Sequence, residues 1–419
     1  LRTVEHNPKQ DAKIFIQTYA KQGSITALPA VGLDVRAIKD WLRERPDFYN
    51  VADDLIELLS SGLDVRGLDR VNIHVKLESR LKDVLNDQTN GNGMPLTIEE
   101  QRMRLIVWQR KGITAIFAGF FKELKEHLKR ILRDDVVYVD GMTPQQISSL
   151  LNKIESEEIV FAEDDLKKQD RQTDETLIAT EMEIYKLLGG NDQIVNLWKN
   201  VHKNWRAKGM GVKFKGNAMR HTGQATTALG NVIVNLIVKM RVVKTLGKRL
   251  KLMLVLGDDH IIITKPPITT SMITLNSARH FNMQSEASVD SSQGGFLRMV
   301  VYKNKNGTLE CGPDIVRLRR RYEVSNGVNE STDTNIISRT MSYCCMLGNL
   351  KPVSDLIEKE GWPLQVGIWY DLHSLILALS SKYKTSEEEI EAELNMLLHM
   401  MRERKVYDQT KLIFTEIGT

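Results

Sequence analysis

Two adjacent carboxylates, Asp258 and Asp259, lie between two apolar runs in "KLMLVLGDDHIIIT" (residues 251–264). Such runs read as buried strands, and burying an unpaired charge is costly. A strand-turn-strand hairpin resolves the conflict, because its tip can expose acids to a cleft and Gly257 permits the tight backbone. Carboxylates this close repel each other unless protonated or metal-bound. Mg²⁺ is the natural partner, since it prefers oxygen ligands and leaves room for water and phosphate. The bland alternative is an Asp- and Gly-rich turn between two strands. A further acid comes from "FAEDDLKKQDRQTDE" (161–175): Asp165 follows the apolar stretch Ile159–Ala162, and Asp170 stands five residues on. If that strand lies beside the hairpin, Asp165 and Asp258 can share two ions about 4 Å apart, an arrangement that activates a 3′-hydroxyl and stabilises leaving pyrophosphate. Asp164 is an equal candidate by position, and a solvated acidic loop is the alternative.

The third stretch is "MRHTGQATTALGNVIVNL" (219–236). Thr222-Gly223 reads as a turn, and Thr227 and Asn231 fall four apart on one face of the following helix. Small polar groups there suit contacts to a template and to the ribose of an incoming nucleotide. Asn231 with Asp170 can sense a 2′-hydroxyl, which both donates and accepts. Helix capping by Thr222 or Thr226 is the competing explanation.

These residues need elements to hold them. "EEIVFAEDD" (157–165) reads as a strand, and "TDETLIATEMEIYKLLGG" (173–190) as a helix stopped by Gly189. "TTALGNVIVNLIVKMRVVKTL" is a second long helix. "LIVWQRKGITAIFAGFFKELKEHLKRIL" (105–132) reads as an amphipathic helix from Phe117 onward, and "AIKDWLRERPD" as a short one. "DQTNGNGMP" (87–95) reads as a loop. "GGFLRMVVYKNKNGTLECGP" (294–313) reads as a β-hairpin turning at Asn306-Gly307. Past about residue 325 the pattern is mostly helical, with Ser386 and Glu389 as a capping box. Strands and helices without βαβ alternation predict an α+β fold.

Composition sets limits. The chain has 419 residues, enough for about three domain-sized units. With 58 basic and 54 acidic residues the net charge of +4 does not by itself mark a nucleic-acid binder, so local basic clusters must carry that role. Three cysteines, Cys311, Cys344 and Cys345, without a Cys-x-x-Cys pair argue against a disulfide framework and a structural zinc. No run is long and apolar enough to span a membrane, and no secretory signal is seen. Position 1 is Leu, which fits a piece of a longer translation product or a trimmed chain. A Gly-x₄-Gly-Lys-[Ser/Thr] loop is lacking, which discounts a helicase.

Taken in order, Asp-x₄-Asp, Thr-Gly-x₃-Thr-x₃-Asn and Gly-Asp-Asp resemble the polymerase motifs of positive-strand RNA viruses, and most closely those of the alphavirus-like, tobamovirus-like replicases. The likeness covers roughly residues 37–321. It implies a right hand: an N-terminal extension and fingers (1–155), palm (156–190), a fingers insertion (191–215), palm again (216–312) and a helical thumb (313–419), with the palm's antiparallel sheet packed on helices. It implies that Asp165, Asp258 and Asp259 are catalytic and hold Mg²⁺, for which Mn²⁺ can substitute. Asp170, Thr222, Gly223, Thr227 and Asn231 would meet the nucleotide. "VKLESRLKD" and "WQRKGITAIFAGFF" resemble fingers segments, so that Arg110 and Lys111 would grip the triphosphate, with Lys76 and Lys82 in the same channel. "GGFLRMVVY" resembles a primer-steadying hairpin, and Arg317, Arg319, Arg320 and Arg321 would track product RNA phosphates. Solvated basic faces are the alternatives for these cations.

The implied activity is template-directed nucleotidyl transfer from NTPs to an RNA 3′-hydroxyl. The implied partners are template and product RNA, NTPs and other viral replicase proteins, helicase and capping modules among them. The implied location is host cytoplasm at membrane-associated replication complexes. A reverse transcriptase and a catalytically inactive RNA-binding scaffold are the rivals. Three departures stand out. Thr222 replaces the usual Ser, and Gln169 stands where an aromatic residue is common. No Lys occurs between Lys265 and Lys303, where relatives carry one proposed to protonate pyrophosphate; His280 is the substitute at hand.

Overall fold

A computed structural model describes residues 3–45, 50–62, 65–75, 105–155, 157–322, 332–361 and 368–416. Lys76, Lys82 and the loop at 87–95 lie outside them. The described strands, in chain order, are β1 (Arg70–Val75), β2 (Leu105–Gln109), β3 (Val136–Tyr138), β4 (Val160–Leu166), β5 (Trp205–Gly209), β6 (Val212–Gly216), β7 (Leu250–Leu256), β8 (Asp259–Thr264), β9 (Ser285–Asp290), β10 (Gln293–Phe296), β11 (Met299–Lys303) and β12 (Leu309–Pro313). They form three sheets, in the orders β2-β1-β5-β6, β3-β7-β8-β4-β9 and β10-β11-β12. The β1–β2, β5–β6, β7–β8, β10–β11 and β11–β12 pairs are antiparallel, and β1 with β5 and β3 with β7 are parallel. With many helices between and after the strands, the fold is α+β.

The chain divides into two compact units, fewer than length alone suggests, because each is assembled from separated stretches. The first comprises Leu1–Lys76, Arg104–Asp140 and Ala162–Val289. Its centre is the helix Thr227–Leu246, whose residues from Val232 to Met240 are all buried. A helix apolar on every side belongs in a core. The positive φ of Gly247 ends it. The helix over 105–132 begins at Lys111, six residues earlier than its amphipathic stretch suggested, and Leu105–Gln109 is strand β2. The helix Glu175–Leu187 stops where expected, before Gly189 at φ +93°.

The described part of the second unit lies within Gly141–Phe161 and Asp290–Thr419. Its sheet is a three-stranded meander rather than the simple hairpin read from sequence: β10 pairs with β11 through the turn at Leu297-Arg298, and β11 with β12 through Asn306-Gly307. The helix Leu372–Tyr383 packs on this meander. Asp314 caps the helix Ile315–Arg321 and also receives Lys382 Nζ at 2.9 Å and Tyr383 Oη at 2.7 Å. Ser386 Oγ accepts from Glu389 N at the head of the last helix, the backbone half of the expected box.

Candidate active site

Strands β7 and β8 pair in register from Leu252↔Ile263 to Leu256↔Asp259, leaving Gly257 and Asp258 as a two-residue loop. Gly257 has φ +60°, whereas Asp258 keeps a negative φ. A glycine at the first loop position and an ordinary residue at the second describe a type II′ turn, whose twist suits an antiparallel pair. The flanking strands are buried and the carboxyl of Asp258 is exposed at the tip. Asp259, the first residue of β8, is half-buried. Asn235, on the central helix, steadies the loop by donating its amide to Asp258 O at 3.2 Å.

Strand β4 lies directly beside β8 and resolves the choice between Asp164 and Asp165. Alternation along the strand sends Asp164 inward and Asp165 outward. Asp164 is buried against Lys239 Nζ at 2.5 Å and His260 Nε2 at 2.7 Å. Burial alone would raise its pKa, but His260 and Lys239 prevail and hold it down at about 2. Lys239, wholly buried, is pushed down by desolvation against the pull of Asp164. Asp165 behaves oppositely. Partial burial, then the charges of Asp258 and Asp164, raise its pKa. The charge of Asp258 is felt at Asp165, 93 positions away in sequence, because β4 adjoins β8 in the sheet.

These two carboxylates fit a hard divalent cation, which relieves just this repulsion. Among the described residues no group of three His, Cys, Asp or Glu side chains is gathered as an ion site.

Beside the acids, Asn231 Nδ2 donates to Asp170 Oδ1 at 3.0 Å. Gln169, where an aromatic residue is common, is buried and donates to Asn231 O at 2.9 Å, so it ties the strand's exit to the central helix. Arg220 N reaches Asp170 O at 2.9 Å. The loop 221–226 is closed by Thr227, whose hydroxyl accepts from Gln224 N at 3.1 Å and lies 3.0 Å from the carbonyls of His221 and Gln224. Thr227 therefore shapes the loop, while Thr222 and Gly223 stay partly exposed. Thr226 starts the helix without a side-chain cap, and capping does not account for it.

Gly223 is fixed by contact. It bridges Trp108 of β2, and its N donates to Val107 O at 2.8 Å. A methyl group at Gly223 would stand 2.7 Å from Trp108 Cβ, which has no flexible end to yield. Gly223→Ala is expected to lower the turnover of any reaction at this loop by about 10- to 100-fold, since a shift of about 1 Å misplaces a substrate. Its melting temperature is expected to stay within a few degrees of wild type; single-turnover kinetics and thermal melts check both.

Sequence reasoning missed Arg220, Glu181, Asn235, Lys239 and His260. Arg220 and Glu181 are fully buried and pair through both terminal guanidinium nitrogens, one contact being Arg220 Nη1 to Glu181 Oε1 at 3.0 Å. The signal was present: Asn235 and Lys239 interrupt an otherwise apolar helix, and a polar residue in such a stretch is the informative one.

The other cations are spread out. Arg110 is held by Asp54 Oδ1 at 3.0 Å and Glu57 Oε2 at 2.9 Å, and stays only partly exposed. Lys111, next to it, is exposed. Arg319 is bound in a fork by Glu393, one contact being 2.9 Å, and Arg317 and Arg320 are half-buried on the same short helix. His280 does not suit the role of proton donor. Burial and Arg241 push its pKa below the ordinary histidine value, and its ring packs on His6 and Phe281.

The chain matches the sequence model of the family described as RNA dependent RNA polymerase over residues 8–287. It is similar to the replicase large subunit of Tobacco mild green mosaic virus, with 23% identity over 72% of this chain and 18% of that protein. It is similar also to the RNA-directed RNA polymerase 2a of Alfalfa mosaic virus, with 29% identity over 50% of this chain and 25% of that protein. The replicase polyprotein 1ab of Beet yellows virus shares 26% identity over 40% of this chain. The chain thus spans a quarter or less of the lengths of these curated relatives. An insertion-loop deletion mutant of the RNA-dependent RNA polymerase of a human picorbirnavirus superposes with a TM-score of 0.49 and 14% identity, covering 72% of this chain and 61% of that one. A family match that takes in most of the chain and every one of the facing acids makes this protein a member of the viral RNA-dependent RNA polymerase family.

Proposed function

We propose that this chain is the polymerase core of a positive-strand RNA virus replicase and extends RNA on an RNA template. The observation that carries the reading is the adjacency of β4, which bears Asp165, to β8, at whose turn Asp258 stands; the charge of Asp258 raises the pKa of Asp165, and Asn231 pairs with Asp170. Asp165 and Asp258 would hold Mg²⁺, with Asp259 assisting, and Mn²⁺ can take its place. Bound there, the ions lower the pKa of the primer 3′-hydroxyl and neutralise charge on the transferring phosphoryl group. The chain's residues do the rest by position. The loop at Thr222-Gly223 receives the nucleotide, Asp170 and Asn231 meet its ribose, and Arg110 and Lys111 attract its triphosphate. In hand terms we assign fingers to 1–155 and 191–215, palm to 156–190 and 216–312, and thumb to 313–419. Arg317, Arg319 and Arg320 would face product phosphates there.

The family match and the replicase relatives support a polymerase over an inactive scaffold or a reverse transcriptase. None of the described helices is long and apolar enough to cross a membrane. We place the protein in host cytoplasm, joined to membrane-associated replication complexes through other replicase proteins such as helicase and capping modules.

Extension of an RNA primer on an RNA template with Mg²⁺ and ribonucleotides tests the reading. Extension that needs a divalent ion and prefers ribonucleotides supports it; preference for deoxynucleotides rejects it. Asn231→Ala is expected to weaken ribonucleotide preference by about tenfold, because Asp170 loses its partner and the 2′-hydroxyl one of its contacts. Competing ribo- and deoxynucleotide incorporation measures the ratio.

A further inference from the structure

Three polar side chains interrupt the buried surface of the central helix, at Asn231, Asn235 and Lys239. Steps of four keep them on one side of the helix, about 6 Å apart along its axis. Each reaches a different acid-bearing piece. Asn231 Nδ2 donates to Asp170 Oδ1 at 3.0 Å, beyond the end of β4. Asn235 Nδ2 donates to Asp258 O at 3.2 Å in the β7–β8 turn. Lys239 Nζ donates to Asp164 Oδ2 at 2.5 Å within β4. Asp164 and Asp170 bracket Asp165, so the helix holds the chain on both sides of that acid. His260, one residue after Asp259, completes the figure. Its Nε2 stands 2.7 Å from Asp164 Oδ1 and joins β8 to β4.

Folding alone does not call for this arrangement. The side chains of Asp164, Lys239 and His260 are at most 1% exposed, and a buried ion pair replaced whole by apolar groups is often neutral or stabilising. Apolar contact is non-directional and leaves a helix free to shift along the sheet it covers. Charged and amide arms of fixed length remove that freedom. Helix to β4, helix to hairpin and β4 to β8 make three ties. Three ties fix a triangle, and its corners adjoin Asp165, Asp258 and Asp259. Ion choice is sensitive to such spacing. Mg²⁺ demands near-octahedral contacts of about 2.0–2.1 Å, whereas Ca²⁺ accepts a looser shell at about 2.3–2.6 Å.

We propose that Asn235 and Lys239, acting with Asp164 and His260, are positioning residues that fix the separation of Asp165 and Asp258 and so confine their site to ions of Mg²⁺ size. None of the four touches substrate. The proposal deepens the polymerase reading by assigning what sets the spacing of its acids, and it rests on that reading for the reaction but not for the ion preference.

Two variants test it. Asp164→Leu with Lys239→Met and His260→Leu replaces the whole cluster by apolar groups. Asp164→Asn with Lys239→Met keeps a hydrogen bond toward His260 and removes only the grip of the helix. Lys244→Met, which takes a cation from the exposed end of the same helix, is the control. Melting temperature is followed without RNA or NTPs, first in EDTA and then with Mg²⁺ or Ca²⁺, since an ion that binds the folded chain raises it. In EDTA all chains are expected to melt within a few degrees of wild type. Mg²⁺ is expected to raise the melting temperature of wild type and control more than Ca²⁺ does, and the two ions are expected to act alike on both cluster variants. In primer extension the variants are expected to need about tenfold more Mg²⁺ and to lose about 10- to 100-fold in kcat, with KM for NTP within a few-fold of wild type, because a displacement of about 1 Å at the reacting atoms has that effect. Either variant keeping both the Mg²⁺ preference and kcat overturns the proposal. So does a rise in KM for NTP with kcat unchanged, or a large fall in melting temperature for both variants, which would make the cluster a brace of the fold and nothing more. A wild-type chain whose ion preference is lost in the variants, yet which never extends a primer, would reject the polymerase reading and leave the positioning role standing. Normal extension with unchanged ion preference in the variants would do the reverse.

Discussion

Asp258→Ala is expected to abolish primer extension, with a fall of at least about 10³-fold, while the chain folds as before. The side chain stands at an exposed hairpin tip and supports no packing, and its removal relieves repulsion on Asp165. Melting temperature should be unchanged or slightly higher in EDTA. Asp165→Ala should behave alike. Asp164→Ala should not, although it is the adjacent residue. It strips Lys239 and His260 of a buried counter-charge, so its main effect is loss of folded protein. Activity and thermal melts of the three variants separate the roles. Extension by Asp258→Ala at a wild-type rate would refute the site.

Arg220→Met is expected to cost the first unit about 3–5 kcal/mol, the usual penalty for breaking a fully buried ion pair by removing one partner. Glu181 would remain as a charge with no access to water, held only by Tyr185 Oη at 2.6 Å. Glu181→Leu with Arg220→Met should recover most of the loss, because a buried pair replaced whole by apolar groups is often neutral. Urea titrations followed by tryptophan fluorescence measure the cycle, with Trp198 and Trp205 buried in the same unit. The stable double variant is still expected to extend poorly. Arg220 N holds Asp170 O, Arg220 Nη1 reaches Thr226 Oγ1 at 3.3 Å, and a methyl group at Gly230 would stand only 2.3 Å from Arg220 Nη1. The guanidinium is thus a spacer that sets how the loop 221–226 meets the helix.

Much of the site could be read from short-range chemistry. Two acids after a glycine between apolar runs leave few options but a hairpin tip, and Asp170 and Asn231 could be matched because each sits at a fixed step from a strand or helix start. Alternation along a strand separates Asp164 from Asp165, but only once the inner face is known, and that depends on β8 and the central helix. Long-range pairs such as Arg220 with Glu181, 39 positions apart, leave no periodic trace. The early start of the helix at Lys111 was hidden because its first turn carries Gly112 and Thr114 rather than good helix formers. The occupied state of Arg110 depends on Asp54 and Glu57, about 55 positions away, and was equally invisible.

The strand order β3-β7-β8-β4-β9 has a consequence for synthesis on the ribosome. Strand β4, which carries the first acid, has both of its neighbours downstream, and β3 must wait for β7. At about 5–20 residues per second, β4 spends roughly 5–20 s with both edges bare before β8 is made. The β7–β8 hairpin is the one adjacent-in-sequence pair in this sheet, so it is the natural seed onto which the older strands anneal. Premature termination anywhere upstream of it leaves no half-working enzyme, only sticky edges for chaperones to cover.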